Sequence, residues 1–307
     1  MSSDAASKFP VFPFSRSRQF ELPIEYAQVA GKCPMPVTLW NDQPAWLVGK
    51  HSEFCAVLVD ERFSGEFARP DFPCVTEARQ SIDKAEKSFV GMDNPRHDHY
   101  RRMLMKEFTA KRMLALQPKI QAITQNLLDD MERKGPPCDL VAALAVEMPA
   151  LVMCALFGSP YEDHQYIAKL ASGRHGLTQS PAEAVKSAAD LVEYCRKLIA
   201  KKEAEPVDDM MSRVIQEFVL PGQLTRDEFA DMCSMVLRAG HDTTTNMIGL
   251  GTLLLLQHPD QLARLKAHPE LIGGAVDELL RYVSPVQLSL IHISEPTRLR
   301  RISYAVF

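Results

Sequence analysis

The sequence has no apolar run long enough to cross a bilayer. The longest, Met247 to Leu256, falls far short of the ~20 residues that a membrane helix needs. Its start, Met1-Ser2-Ser3-Asp4, lacks the basic region and apolar stretch of a secretory leader. It has no block of like charge: 35 Lys and Arg stand against 39 Asp and Glu, for a net charge of -4. That balance offers no electrostatic footprint for nucleic acid or an anionic membrane surface. The seven cysteines include no C-x-x-C pair and are widely and irregularly spaced. An odd count in so long a chain argues against a disulfide framework and for reduced thiols in a cytoplasmic protein. Internal repeats and low-complexity linkers are also missing. What remains is a chain of 307 residues, 46% hydrophobic, able to bury a large core.

Residues 1 to 36 are rich in Pro and aromatics, with Phe9-Pro10-Val11-Phe12-Pro13-Phe14, and read as an extended arm lying on a larger body. Val37 to Trp40 and Ala45 to Val48, joined by Asn41-Asp42-Gln43-Pro44, read as strand, turn, strand. Residues 64 to 90 mix Gly, Pro and charge and are expected to form a long irregular loop. Helical patterns follow over Pro95 to Phe108, Lys111 to Lys134, Asp139 to Phe157 and Pro181 to Glu205, several of them closed by Gly or Pro. Cys154 and Cys233 lie in apolar stretches and are expected in the core. One mainly α domain with a small β region near its N-terminus is the fold that this pattern predicts.

The stretch Leu224 to Gln257 predicts the longest helix. Thr225 and Glu228 have the spacing of a capping box, in which each side chain satisfies an exposed N–H of the other's residue. Apolar residues fall on nearly every side, so the helix is expected to cross the protein centre. Its middle, Ala239-Gly240-His241-Asp242-Thr243-Thr244-Thr245, breaks that pattern with two small residues, a carboxylate and three hydroxyls. Such local inconsistency concentrates at functional sites. The small residues predict close approach of something large and flat. The hydroxyls predict a local kink that admits water or a ligand.

Ala239-Gly240-His241-Asp242-Thr243-Thr244 matches A-G-x-[DE]-T-[TS], Glu278-Leu279-Leu280-Arg281 matches E-x-x-R, and Phe89 to Met103 is similar to F-x-x-x-D-P-P-x-H-x-x-x-R-R. In this order and spacing the three resemble the cytochromes P450 over roughly residues 9 to 287. Two positions depart from the family pattern: Asn94 stands for a usual Pro, and Arg96 for a usual acid. The resemblance implies a long central helix in an incomplete cytochrome P450 fold. It also implies an oxidoreductase with haem b (iron protoporphyrin IX) as cofactor. Such an enzyme inserts one oxygen atom from O2 into a small organic substrate, fed by ferredoxin and its reductase, with no membrane anchor. The arm Phe12-Pro13-Phe14-Ser15-Arg16 and Ala45 to Val48 also resemble the fungal nitric oxide reductases of this fold. Those take electrons directly from NAD(P)H and lack the acid before the central threonine. Asp242 therefore favours oxygen activation. A non-catalytic helical binding protein is the alternative of another class.

Each motif also has a reading from its residues alone. His97 and Arg101 are four apart and share a helix face, a cationic fork that the resemblance assigns to a haem propionate. As residues alone they are equally a lone histidine beside a solvated basic face. Ala239 and Gly240 are the small residues expected against the cofactor. Asp242 and Thr243 resemble the acid and alcohol that handle protons in oxygen activation, although Asp242 also suits a structural role at a kink. Glu278 and Arg281 are spaced for an ion pair on one helical turn. By itself that is an ordinary surface pair, whereas the resemblance makes it a buried structural pair. No metal site is expected from the residues present. The family's iron-ligating cysteine lies in an F-x-x-G-x-x-x-C-x-G loop, and no cysteine here has that context.

Residues 288 to 307 read differently from the remainder. Leu288 to Arg298 looks like the translation of a transposase-type sequencing-library adapter. Ile302 to Phe307 looks like the primer that follows it, with Leu299, Arg300 and Arg301 where a sample index would lie. Residues 1 to 287 are thus expected to be the N-terminal portion of one domain, cut before the cysteine loop, and 288 to 307 to be read-through. Sequencing the source DNA across codon 287 without such an adapter is expected to reveal a frame continuing into the F-x-x-G-x-x-x-C-x-G loop. A gene ending as printed would remove the enzyme reading in favour of the binding protein.

Overall fold

A computed structural model describes residues 9–15, 23–30, 34–85, 88–172, 180–283, 288–293 and 302–305. Parts of the expected arm (residues 1–8, 16–22 and 31–33), residues 173–179, the boundary at 287, and most of the index and primer residues (294–301, 306–307) lie outside the described residues. The chain is mainly α with a small β region and divides into two compact units.

The smaller unit takes in the chain up to residue 86, residues 90–97 and the C-terminal stretch from 286. Its core forms where the Pro-rich arm meets the first hairpin. Phe12 donates its N–H to the carbonyl of Thr38 at 2.8 Å and is fully buried among Val29, Val37, Leu39 and Leu47. Its ring meets Phe14 and Tyr26 edge-on, at centroid distances of 5.4 and 6.5 Å, the geometry that the ring quadrupoles favour. Tyr26 opens the short helix α1 (Tyr26–Val29). Strands β1 (Met35–Thr38) and β2 (Pro44–Val48) pair antiparallel with Val37 opposite Ala45, so the hairpin starts two residues earlier than its sequence pattern predicts. Asp42 occupies the turn at φ 58°, a conformation that Asp tolerates. Helix α2 (His51–Val59) and strand β3 (Phe63–Ser64) follow.

The expected irregular loop over 64 to 90 holds more order than predicted. Helix α3 (Glu77–Ala85) lies inside it, and a 3₁₀ turn spans Phe89–Gly91. The start signal was present: the Thr76 hydroxyl accepts from the N–H of Arg79 at 3.1 Å, and good helix formers follow. The dense Gly and Pro before it masked that signal.

Strands β4 (Leu288–Ile293) and β5 (Ile302–Ala305) come from the stretch that sequence reading set aside as read-through. Among the described residues the sheet order is β1-β2-β5-β4-β3, with β5 parallel to β2. An open strand edge presents N–H and C=O groups that any extended, β-prone segment satisfies. The pairing therefore carries no statement about the origin of residues 288–307.

The larger unit holds the later helices, beginning within α4 (Arg96–Met105). Helix α5 (Ala110–Lys134) ends at Gly135, as expected. The predicted helix from Asp139 to Phe157 is instead a π-helical turn at Val141–Ala145 followed by α6 (Glu147–Phe157). Pro149 accounts for the change: it has no N–H and its ring crowds the carbonyl four residues back. Next come α7 (His164–Ala171), α8 (Pro181–Ala204) and α9 (Met210–Val214). The long α10 (Arg226–Gln257), α11 (Pro259–Ala267) and α12 (Ile272–Tyr282) complete the unit. Capping boxes open α8 (Ser180 with Glu183) and α10 (Thr225 with Glu228). Cys154 and Cys233 are buried, as predicted, and so are Phe157, Ile167, Leu191 and Phe229.

Two ion pairs in this unit involve buried groups, one with its arginine half-exposed and one with both partners buried. Arg213 grips Glu107 through Nε and Nη2 at 3.0 and 2.7 Å. Lys202 pairs with Asp209, both nearly inaccessible, beside the left-handed Gly158 (φ 63°) that ends α6. A Cβ on Gly158 would lie 2.7 Å from Lys202 Nζ and 2.7 Å from Asp209 Cγ. Gly135 has a similar φ of 71° but nothing within 4 Å. Gly158→Ala is therefore expected to lower unfolding stability by about 3 kcal/mol or more, because it forces a buried pair apart. Gly135→Ala should cost about 1–3 kcal/mol, the strain of a Cβ at φ 71° and ψ 174° alone. Urea unfolding of both variants checks this, and equal losses would contradict it.

Candidate functional site

The site is built on α10, whose start is anchored twice. Thr225 accepts from the N–H of Glu228, and the phenol of Tyr100 on α4 donates to Glu228 Oε1 at 2.6 Å. Burial alone would raise the Glu228 carboxyl. The hydrogen bonds from Tyr100 and Thr225 outweigh it, and the pKa lies below the ordinary carboxylate value.

From that anchor α10 runs 32 residues, with no 3₁₀ or π turn interrupting its α-helical hydrogen bonding. The hydroxyls do bond back as predicted: Thr243 donates to the carbonyl of Ala239 at 2.8 Å, and Thr252 to that of Ile248 at 2.7 Å. They add to the helical ladder rather than replace it. Nor is the helix buried on every side. Ala230, Cys233, Ser234, Leu237, Arg238 and His241 make a buried inner face, whereas Ala239 and Asn246 are exposed.

This division sorts the motif. Ala239, Thr243 and Asn246 recur at helical spacing on the open face, with Thr243 half-buried. Gly240 does not share that face. A Cβ there would lie 2.6 Å from Met153 Cε and 2.8 Å from its sulfur, so its small size serves the packing of α10 on α6. Met153 of α6 occupies the side that a Cβ on Gly240 would take. The Asp242 side chain keeps 13% of its accessibility, and its Oδ1 lies 3.4 Å from Nδ1 of His241. His241, only the variable position of the motif in sequence, is 2% exposed at its side chain.

His97 and Arg101 lie on α4 at the predicted spacing, the first half-buried and the second exposed. Neighbouring Arg102 donates Nε to the carbonyl of Asp98 at 3.0 Å. Glu278 and Arg281 form the predicted pair on α12, with two hydrogen bonds at 2.7 and 2.6 Å. The pair is not buried: the side chains keep 60% and 68% of their accessibility. At such exposure it contributes little to stability.

Whether these residues fit a haem has two answers. Ala239, exposed on the open face of α10, leaves room beside it for a flat ring, and Arg101, an exposed guanidinium, is suited to a carboxylate. The axial ligand is another matter. Burial pushes the thiols of Cys154 and Cys233 up, and that of Cys195 to about 12, and none of the three lies in the F-x-x-G-x-x-x-C-x-G context that holds iron in this fold. Among the described residues no cluster of three or more His, Cys, Asp or Glu is arranged for a metal ion. No helix of the described residues is long and apolar enough to cross a membrane. An open cleft of about 630 Å³, lined by Asp130, Glu147, Tyr161 and His164 among others, includes none of the motif residues.

No protein-family model matches the sequence. Individual relatives match strongly. The chain is 40% identical over 276 residues to a pentalenic acid synthase of Streptomyces avermitilis, covering 89% of the chain and 68% of that protein. It is 35% identical over 277 residues to cytochrome P450 105A3 of Streptomyces carbophilus, covering 90% and 67%. The crystal structure of the mycinamicin VIII C21 methyl hydroxylase MycCI of Micromonospora griseorubida superposes with a TM-score of 0.86 at 30% identity, over 96% of this chain and 77% of that one. A helical scaffold built on one long motif-bearing helix is thus shared with haem-thiolate oxidoreductases. The chain belongs to the cytochrome P450 family, whose cofactor is haem b, and spans about two thirds of the length of these curated relatives.

The 307-residue chain is expected to give no thiolate-type absorption band when mixed with haem, reduced and exposed to carbon monoxide. A spectrum recorded on this chain checks it, and the appearance of that band would show that one of its cysteines does ligate iron.

Proposed function

We propose that the full-length parent of this chain is a monooxygenase that places one oxygen atom from O2 into a small organic substrate. In it, Asp242 and Thr243 conduct the protons that the reaction consumes. The observation that carries this reading is the carboxylate of Asp242, nearly buried yet not closed off, beside a hydroxyl on the open face of α10. When bound, haem supplies the activation of O2. The chain's residues supply the remainder. Thr243, held through its bond to the Ala239 carbonyl, presents a hydroxyl oxygen that accepts a hydrogen bond from water and so orients it. Asp242 passes a proton from its carboxyl to that water as the water gives one up, and is reprotonated from solvent. His97 and Arg101 pair with the cofactor's carboxylates, and Ala239 leaves room for its ring. The hydroxylase named among the solved neighbours supports oxygen insertion over the reductase alternative, as does the acid itself.

Electrons reach such an enzyme from ferredoxin and its reductase, in the cytoplasm. Residues 1–287 form the N-terminal portion of one domain, with 288–307 as read-through. Support comes from α12, where Ile272, Val276 and Leu280 recur every four residues and are exposed at 56%, 46% and 48%. An apolar stripe beside an open ion pair is what a helix presents when its covering segment is missing.

In the haem-loaded, full-length protein Asp242→Asn is expected to slow product formation by about a hundredfold, as loss of a proton-handling group does. Reducing equivalents should then appear as peroxide. Product yield per reduced cofactor consumed measures both. Unchanged coupling would remove Asp242 from the proton path.

A further inference from the structure

We propose that His241 is a positioning residue for Asp242: from the buried face of α10 it holds one carboxylate oxygen and so assigns the other to proton delivery. The inference rests on the reading of Asp242 as the proton-handling acid, and it concerns a residue that the motif leaves variable.

Three observations carry it. First, adjacent residues on a helix project about 100° apart and do not normally meet. Nδ1 of His241 nevertheless lies 3.4 Å from Oδ1 of Asp242. Second, the imidazole is buried, its side chain only 2% exposed, so its rotamer is fixed by packing rather than by solvent. Third, its other nitrogen, Nε2, is buried without a hydrogen-bond partner from the protein, and so is Oγ1 of Thr245, one turn further along the same stripe. Ser234 Oγ, two turns earlier on that stripe, shares this state.

The tautomer follows from the partners. An ionised carboxylate only accepts, so the contact to Asp242 requires the proton on Nδ1. Nε2 is then an acceptor and needs a donor. Thr245, at the i+4 position from His241, has a hydroxyl that suits this role, directly or through an ordered water. An unsatisfied buried polar atom is costly to leave, which is the drive to bring such a donor in. With both nitrogens engaged the imidazole cannot flip, and Oδ1 of Asp242 is held. A carboxylate so held presents Oδ2 in one orientation rather than several, the preorganisation that proton transfer needs.

Two measurements test this. In the 307-residue chain with ¹⁵N-labelled histidine, long-range proton–nitrogen NMR should report the Nδ1–H tautomer for His241, and Asp242→Asn should shift its Nδ1 signal. The Nε2–H tautomer, or a signal indifferent to Asp242→Asn, overturns the proposal. In the haem-loaded, full-length protein His241→Leu should lower coupling by about threefold or more, a fraction of what loss of a direct proton-transfer group produces. His241→Asn should restore most of it, since its amide nitrogen stands near the place of Nδ1. A Leu variant that couples like the parent, or an Asn variant no better than Leu, defeats the positioning role. If Asp242→Asn uncouples the enzyme in the same series, the proton-path reading survives that defeat. If Asp242→Asn does not uncouple it, the reading itself has failed. Should the Leu variant not fold, the NMR result on the parent sequence decides alone.

Discussion

Burial of one face of α10 is the constraint on which the larger unit depends. Helices α6, α7, α8, α11 and α12 all contact it, so the position of each follows from how that face is filled. Filling it requires close approach, and Gly240 is where the approach is tightest: Met153 of α6 sits where a side chain would otherwise begin. Phe229 and Leu237, both essentially inaccessible, contribute on the order of 1.5–3 kcal/mol each by burial. The start of the helix is fixed separately, by Thr225, Glu228 and Tyr100. A rod held at one end and packed along one side leaves its opposite side free to carry chemistry.

The two faces of that rod then have different chemical characters. On the open face, Ala239 and Thr243 present a small surface and a hydroxyl whose direction is set by its bond to a backbone carbonyl. On the buried face, burial pushes up the thiol of Cys233, as it does that of Cys195 on α8. The same burial makes each polar atom of Ser234, His241 and Thr245 expensive to leave unsatisfied. Asp242 lies at the border and takes something from both, enough burial to be held and enough accessibility to exchange protons. The buried Lys202–Asp209 pair, and buried Glu107 with half-exposed Arg213, tie the shorter helices to the frame by strict geometry. The contrast with the exposed Glu278–Arg281 pair is one of environment, not of spacing or partner chemistry.

Much of the architecture was legible because local rules and tertiary packing agree in it. Gly135 and Gly158 end their helices as punctuation predicts, and Ser180 and Thr225 cap theirs through their own side chains. The hairpin around Asn41 and Asp42 followed from alternating apolar residues and turn chemistry. Legibility failed where two local signals compete. Gly and Pro ahead of Thr76 hid the start of α3, and Pro149 turned an apparently continuous apolar helix into a π-turn and a shorter helix.

The sequence by itself determined the family, the order of the helices and the presence of Ala239, Asp242 and Thr243 together on one helix. Spacing along a chain fixes the angle at which each side chain leaves that helix. It says nothing of what stands opposite. Only the tertiary structure decided that Gly240 faces Met153, that His241 is sealed against Asp242, and that the Glu278–Arg281 pair lies open. Those outcomes depend on which neighbouring elements occupy each side, and burial is a property of the whole packed assembly rather than of any residue within it.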